Sequence, residues 1–314
     1  MEDRPEGISD QDVATALADG WGLDVRSVTY RPVGFGSYHW AVDAPTRPLF
    51  ATVDALRDDP AARLRELRAA MGTALALHCD AGLEFVVAPV PSVTGEPLLP
   101  LGERHTLAVF PEVEGTAGEF GPHRDEDRSD VLDLLVRLHA AGADAPPTDL
   151  LLPGRDGLDD ALAAVGRPWG GGPYAEPARA LLADRAAHVR GLLAEFDRLT
   201  GEVRRDGSPW VVTHGEPHPG NVIRGRDGLH LVDWDTVRLA PPERDVWMLG
   251  ADAALLASYT RATGRPLSPA ALALYPLWWT LADVAAYVAL FRGPHRSTPD
   301  VRSAFTYLSA ALPA

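Results

Sequence analysis

The chain of 314 residues contains no lysine: all 29 of its basic side chains are arginine, against 44 acidic ones. A formal charge of −15 provides no basic stripe for a phosphate backbone, which excludes nucleic acid as the main partner. The same charge suits a small cationic partner. Cysteine is nearly as scarce. Cys79 stands alone, so no internal disulfide framework exists, and the chain reads as cytoplasmic with Cys79 a small buried hydrophobe. An apolar start is missing too: Met1-Glu2-Asp3-Arg4-Pro5-Glu6 is acidic and unlike a signal peptide. Long apolar runs are absent but for residues 270–290, near the length that spans a bilayer. That run carries Pro276, Thr280 and Asp283, and a charge at depth is costly in lipid. It is expected to be a buried helix of a soluble core, with Pro276 as its breaking point. No internal repeat or long low-complexity tract is present. The lysine deficit beside abundant Ala, Arg and Gly points to GC-rich coding, although a required lysine should survive such bias.

What is present is ordinary globular composition, 46% hydrophobic and 23% charged, in a length that allows one large domain or two modest ones. Ser9 and Asp10 can cap a helix running to about Asp19 and ended by Gly20. Residues 25–33, 38–42 and 49–53 read as strands, rich in aromatic and β-branched side chains. Residues 59–78 read as a helix with Leu64, Leu67, Met71, Leu75 and Leu77 on one face. Residues 85–90 and 106–110 read as two more strands, separated by a Pro- and Gly-rich hairpin-like segment. Beyond Pro111 the pattern turns helical, over 130–141 and 176–203, where Ala178, Leu182, Val189, Leu193 and Phe196 keep helical spacing. A short β island over 210–233 interrupts, and helix is expected from Glu243 onward. A small, mostly β lobe followed by a larger helical one is an α+β two-lobe design.

The β island holds the chemistry. Val211-Val212-Thr213 leads into His214-Gly215-Glu216-Pro217-His218-Pro219-Gly220-Asn221, and Leu229-His230-Leu231-Val232 leads into Asp233-Trp234-Asp235. Carboxylates and an amide at strand ends can converge on one point, and such oxygen donors suit a hard divalent cation. A further carboxylate alongside can accept a proton from a hydroxyl.

This segment resembles the catalytic core of the aminoglycoside phosphotransferase family. The family pattern is His-Gly-Asp-x-x-x-x-Asn, then a strand and an Asp-aromatic-(Asp/Glu) triplet. Glu216 and Asn221 are five residues apart and Asn221 and Asp233 twelve, as in the family. Val109-Phe110-Pro111-Glu112-Val113-Glu114-Gly115 resembles its hinge, and Leu138-His139-Ala140 the end of the helix before the catalytic loop. Pro241-Pro242-Glu243-Arg244-Asp245-Val246-Trp247 resembles the segment after the metal-binding Asp, and the stretch from Trp278-Trp279 to Phe291 its C-terminal helix pair. The likeness runs over nearly the whole chain, and within the family it is closest in look to spectinomycin-type antibiotic kinases.

The resemblance implies a protein-kinase-like two-lobe fold: residues 1–110 as a nucleotide-binding lobe, 111–115 as the hinge, and 116–314 as a helical lobe with the catalytic loop and substrate pocket. It implies ATP or GTP as phosphoryl donor, with Asn221 and Asp233 holding Mg²⁺ across its phosphates. Glu216 stands at the catalytic Asp position, His214 and His218 support the loop, and Asp245 anchors it. Phe110, Glu112 and Val113 belong to the hinge side of the nucleotide site. Gly34-Phe35-Gly36-Ser37, between two strands, becomes the phosphate loop, whose glycines let backbone N–H groups approach an anion.

Two positions depart from the pattern. Glu216 keeps the functional group of Asp with a similar reference pKa. Its extra methylene shifts the carboxylate by about an ångström or more, and misplacement on that scale costs roughly a hundredfold. Glu216 is therefore either a working base in an adapted site or a relic. Kinases also place a lysine on the third strand to pair with the α/β-phosphates and a helix glutamate. Thr52 stands at that place, and Glu66, the candidate helix partner, has no evident cation. Arginine can bind phosphate bidentately, yet its geometry is not that of lysine.

The expected activity is Mg²⁺-dependent transfer of the γ-phosphate to a hydroxyl of an aminoglycoside, aminocyclitol or related cationic molecule. Asp235, Glu243, Trp278, Trp279 and Asp283 are the candidates to hold that acceptor. The alternatives are a catalytically impaired pseudokinase and a metabolic kinase of choline, homoserine or a sugar. The expected setting is the cytoplasm, with no membrane partner, as a monomer or weak homodimer.

Overall fold

The computed structural model describes residues 1–56, 59–250 and 252–312. The chain opens with helix α1 (Asp10–Trp21), strands β1 (Ser27–Arg31), β2 (Tyr38–Asp43) and β3 (Leu49–Ala55), helix α2 (Pro60–Cys79), and strands β4 (Leu98–Leu101), β5 (His105–Pro111) and β6 (Thr116–Ala117). Helices α3 (Arg128–Ala140), α4 (Arg155–Ala163) and α5 (Ala175–Asp206) follow, then strands β7 (Val211–Thr213), β8 (Val222–Arg224), β9 (Leu229–Leu231) and β10 (Arg238–Ala240). Helices α6 (Glu243–Val246), α7 (Ala253–Thr263), α8 (Pro269–Arg292) and α9 (Pro299–Ala311) complete it. Met1–Thr148 with Pro209–Pro266 form one compact unit, and Asp149–Ser208 with Leu267–Ala314 a second.

In the first unit a five-stranded antiparallel sheet has the order β1-β2-β3-β5-β4. Side chains alternate across it. Trp40, Val42, Leu49, Ala51, Val53, Leu107 and Val109 form a core with Val13 and Leu17 of α1. Phe50, Thr52 and Asp54 take the opposite face of β3, the face covered by α2 through Leu67 and Met71 on Leu98 and Ala108. Ser9 and Asp12 form a capping box at the start of α1. Gly20 does not end that helix. It lies inside, where a Cβ would meet Leu99 Cδ1 at 2.6 Å, and Gly22 makes the left-handed cap at φ 65°.

Residues 85–90 do not form the expected ladder strand. Pro89 and Pro91 remove donors, and one parallel bridge, Val86 to Leu231, is formed instead. The hairpin partner of β5 is β4. Cys79 is exposed at the end of α2 rather than buried.

In the second unit α8 packs against α4, α5 and α9. It runs unbroken through Pro276. By length and composition it is apolar enough to cross a membrane, and its buried positions include Leu274, Leu281, Val284, Val288 and Phe291.

Candidate active site

Local pairing brings the motif residues together. β7 pairs with β10 and carries the chain to His214. A short 3₁₀ turn, Pro219–Asn221, leads into the β8–β9 hairpin, in which Val222 faces Leu231. Val232 N–H donates to the Asn221 carbonyl (3.0 Å), which extends the hairpin by one rung. Asp233, the next residue, then turns beside Asn221, so the twelve-residue gap is the arithmetic of this hairpin. Asp233 adopts φ 67°, a left-handed conformation that Asp tolerates better than most residues. Asn221 is buried and donates its amide N–H to the Glu216 carbonyl (3.0 Å), which ties the two motif positions together.

A buried polar network supports this loop. Asp245 accepts hydrogen bonds from His214 N (2.8 Å), Gly215 N (2.6 Å) and His139 Nε2 (3.0 Å). Burial alone would raise its carboxyl. The His139 hydrogen bond and the nearby Arg244 charge outweigh that and hold it below the usual carboxylate range. His139 Nδ1 meets the Tyr259 hydroxyl at 2.8 Å. His214 Nδ1 accepts from Glu216 N (3.1 Å), so Nε2 carries the proton donated to the Val232 carbonyl (2.9 Å). Burial lowers His214 to about 4, and both ring nitrogens are engaged within the loop. Gly215 is obligatory: its φ is 102°, and a Cβ would sit within 2.4 Å of the Arg244 guanidinium carbon. Asp245→Asn puts N–H donors against N–H donors in a dry site. It should cost about 3–5 kcal/mol and lower the melting temperature by about 10 °C in thermal denaturation.

Above the hairpin the site is crowded with acid. Asp233 is open to solvent on one side, yet its carboxyl is enclosed by protein on the others. That enclosure, then the charges of Asp235, Glu216 and Asp54, push it well above the usual range. Asp54 is buried beneath Ser37, whose hydroxyl donates to it. Burial and then the Asp235 charge push Asp54 up to about 6. Asp235 pairs with Arg63 from α2 at 2.9 Å. Gly34 (φ 68°) and Gly36 (φ 106°) form an exposed turn ahead of β2. The Thr52 hydroxyl lies 3.2 Å from His39 Nδ1.

The other expected residues are more scattered. Phe110 is half-buried against the Leu56, Leu67 and Met71 cluster, Glu112 is exposed with its N–H on the Pro48 carbonyl (3.3 Å), and Val113 is half-buried. Glu243 is only 2% exposed and lies among the interior residues of α6. Trp278, Trp279 and Asp283 are on α8, in the second compact unit, each half-buried. Trp278 Nε1 donates to the Leu151 carbonyl (2.9 Å). The Asp283 carboxyl makes no hydrogen bond or ion pair among the described residues, and burial raises it to about 6.

Sequence reasoning missed Asp54 and Arg63. Asp54 was within reach, since it lies two residues beyond Thr52 on the same face of β3. Arg63 gave no signal, because its partner is 172 residues away.

Comparison with known proteins gives the family and the fold. The phosphotransferase enzyme family, APH, matches residues 28–278. Protein StrN of Streptomyces griseus is 32% identical over an alignment of 251 residues, which covers 76% of this chain and 74% of that protein. Among solved structures, spectinomycin phosphotransferase APH(9)-Ia, in complex with ADP and spectinomycin, superposes with a TM-score of 0.76 at 15% identity, over 96% of this chain and 94% of that one. Choline kinase LicA from Streptococcus pneumoniae does so with a TM-score of 0.56 at 14% identity, over 96% and 98%. The shared fold is the kinase-like one, with an antiparallel N-terminal sheet and a helical C-terminal part.

Proposed function

The chain belongs to the APH phosphotransferase family, enzymes of phosphoryl transfer to hydroxyl acceptors, and on that premise we propose that it is an antibiotic-type kinase. It transfers the γ-phosphate of ATP or GTP, with Mg²⁺, to a hydroxyl of an aminoglycoside, aminocyclitol or related cationic molecule.

The observation that carries this reading is the placement of Glu216, Asn221 and Asp233 on one braced loop and hairpin. Asn221 and Asp233 would hold the metal. Their donor set fits it: both are oxygen ligands, and the Asn221 amide nitrogen is already committed to Glu216. Among the described residues no group of three or more His, Cys, Asp or Glu forms a cage. Mg²⁺ needs none, since it binds one or two protein oxygens and completes its shell with water and phosphate. Bound there, the ion would neutralise charge on the phosphates.

Glu216 orients the acceptor hydroxyl and takes its proton. Gly34, Gly36 and Ser37 cover the phosphates, with Thr52 behind them, while Phe110, Glu112 and Val113 flank the base. In this reading residues 1–110 are the nucleotide lobe, 111–115 the hinge and 116–314 the lobe that carries the catalytic loop. For the acceptor, Asp283, Trp278 and Trp279 of the second unit are candidates, Asp283 as a half-buried carboxyl with no ion pair among the described residues. Trp278 and Trp279 stand near it in sequence, and Asp235 is the acidic candidate of the first unit. Burial sets Glu243 apart from them. The cytoplasm is the proposed setting, supported by the exposed, lone Cys79.

The test is a panel of aminocyclitols, aminoglycosides, choline, homoserine and sugars, incubated with purified protein, Mg²⁺ and ATP or GTP. Nucleoside diphosphate release and the acceptor's gain of one phosphoryl mass are measured. Transfer to an aminocyclitol or aminoglycoside is expected. Transfer to choline, homoserine or a sugar alone would make it a metabolic kinase. Nucleotide binding without any transfer would make it a pseudokinase.

A further inference from the structure

The acid cluster has a charge imbalance that the proposed chemistry worsens. Asp54, Asp233, Asp235 and Glu216 are all acidic, and a nucleotide would bring more negative charge to the same place. In kinases the third-strand lysine answers this. Here no lysine exists, and Thr52 at that place faces His39.

A cation arrives from the other direction. α2 covers the face of β3 that bears Thr52 and Asp54, and its first turn sends Arg63 into the cluster. One Arg63 nitrogen lies 2.9 Å from Asp235 Oδ2 and the other terminal nitrogen 3.8 Å from Glu66 Oε2. The usual arrangement is thereby reversed: the strand carries the acid and the helix the cation. The Arg63 side chain is 34% exposed. A guanidinium has five N–H donors in a fork that matches phosphate, so several remain for a ligand after Asp235 is served. Arg238 also feels Asp235 and Glu66, but its guanidinium donates to the Val237 carbonyl (2.8 Å).

We infer that Arg63 is the phosphate anchor of this enzyme, taking over from α2 the contact that a third-strand lysine makes in kinases, with Asp235 holding its guanidinium in position. The inference rests on the kinase reading above and adds a residue to it.

The experiment is calorimetric titration of the wild type, Arg63→Gln and Arg63→Lys. The ligands are ADP and GDP with Mg²⁺, and adenosine and guanosine by competition. Arg63→Gln should weaken the preferred diphosphate by about 10- to 100-fold, the value of a charge-assisted hydrogen bond or two. Arg63→Lys should recover part of that loss, and nucleoside affinity should be the same in all three proteins. Diphosphate binding by Arg63→Gln as tight as in the wild type overturns the inference and leaves the kinase reading intact. Equal loss of nucleoside and diphosphate also overturns it, because the role would then be structural. A wild type that binds no nucleotide at all sinks both.

Discussion

Asp233→Asn should lower turnover by about a thousandfold or more while leaving the protein at least as thermostable as its parent. The functional loss follows from the proposed metal role. A hard cation prefers a charged oxygen, and metal stabilisation of phosphoryl charge is worth several kcal/mol, with each ~1.4 kcal/mol a factor of ten. The opposite sign on stability follows from the crowding. Enclosure and the charges of Asp235, Glu216 and Asp54 disfavour the Asp233 anion, so a neutral amide of the same shape removes repulsion. Asparagine also accepts the left-handed backbone at φ 67°. Asp233→Ala would add strain there and blur the comparison. Steady-state turnover, Mg²⁺-dependent nucleotide titration and thermal denaturation read the three effects separately. Turnover and Mg²⁺-dependent binding equal to the parent's would refute the metal role.

The second large effect is at Glu216. Glu216→Gln should reduce kcat by about 10²- to 10⁴-fold, the usual contribution of a positioned base, with nucleotide affinity unchanged. Glu216→Asp, which restores the family's usual residue, should also lose activity, by roughly a hundredfold. The backbone of residue 216 is pinned on both sides. Its N–H is held by His214 Nδ1 and its carbonyl by the Asn221 amide. Pro217, next in the chain, restricts residue 216 further. The loop cannot advance to compensate for a shorter side chain, so the carboxylate would fall short of the acceptor hydroxyl. Retention of full activity by Glu216→Gln would identify Glu216 as a relic and move the base elsewhere.

The catalytic segment was legible because its chemistry is local. Asn221 and Asp233 meet through a hairpin whose register is set by the residues between them. The chain's only asparagine is Asn221, retained in a sequence that has lost every lysine. The strand assignments failed where local preference was overridden. Val86 and Val87 are β-branched and apolar, yet Pro89 and Pro91 deny them a ladder, and β4 takes the place beside β5. Gly20 reads as a helix end, whereas it lies inside α1 against Leu99 and Gly22 makes the cap.

The sequence by itself determined the kinase-like fold class, the motif loop proposed as catalytic, the pair proposed to hold the metal, and the absence of any lysine. These are contiguous motifs and counts, and they need no knowledge of which elements touch. Tertiary structure decided what stands in the lysine's place. Arg63 and Asp235 are 172 residues apart and meet only because α2 lies across the Thr52 and Asp54 face of β3. It also decided that Glu243 is interior and that Asp283 has no hydrogen bond or ion pair among the described residues. Charge is written in the sequence, but the neighbours that balance a charge, or leave it unbalanced, are set by packing.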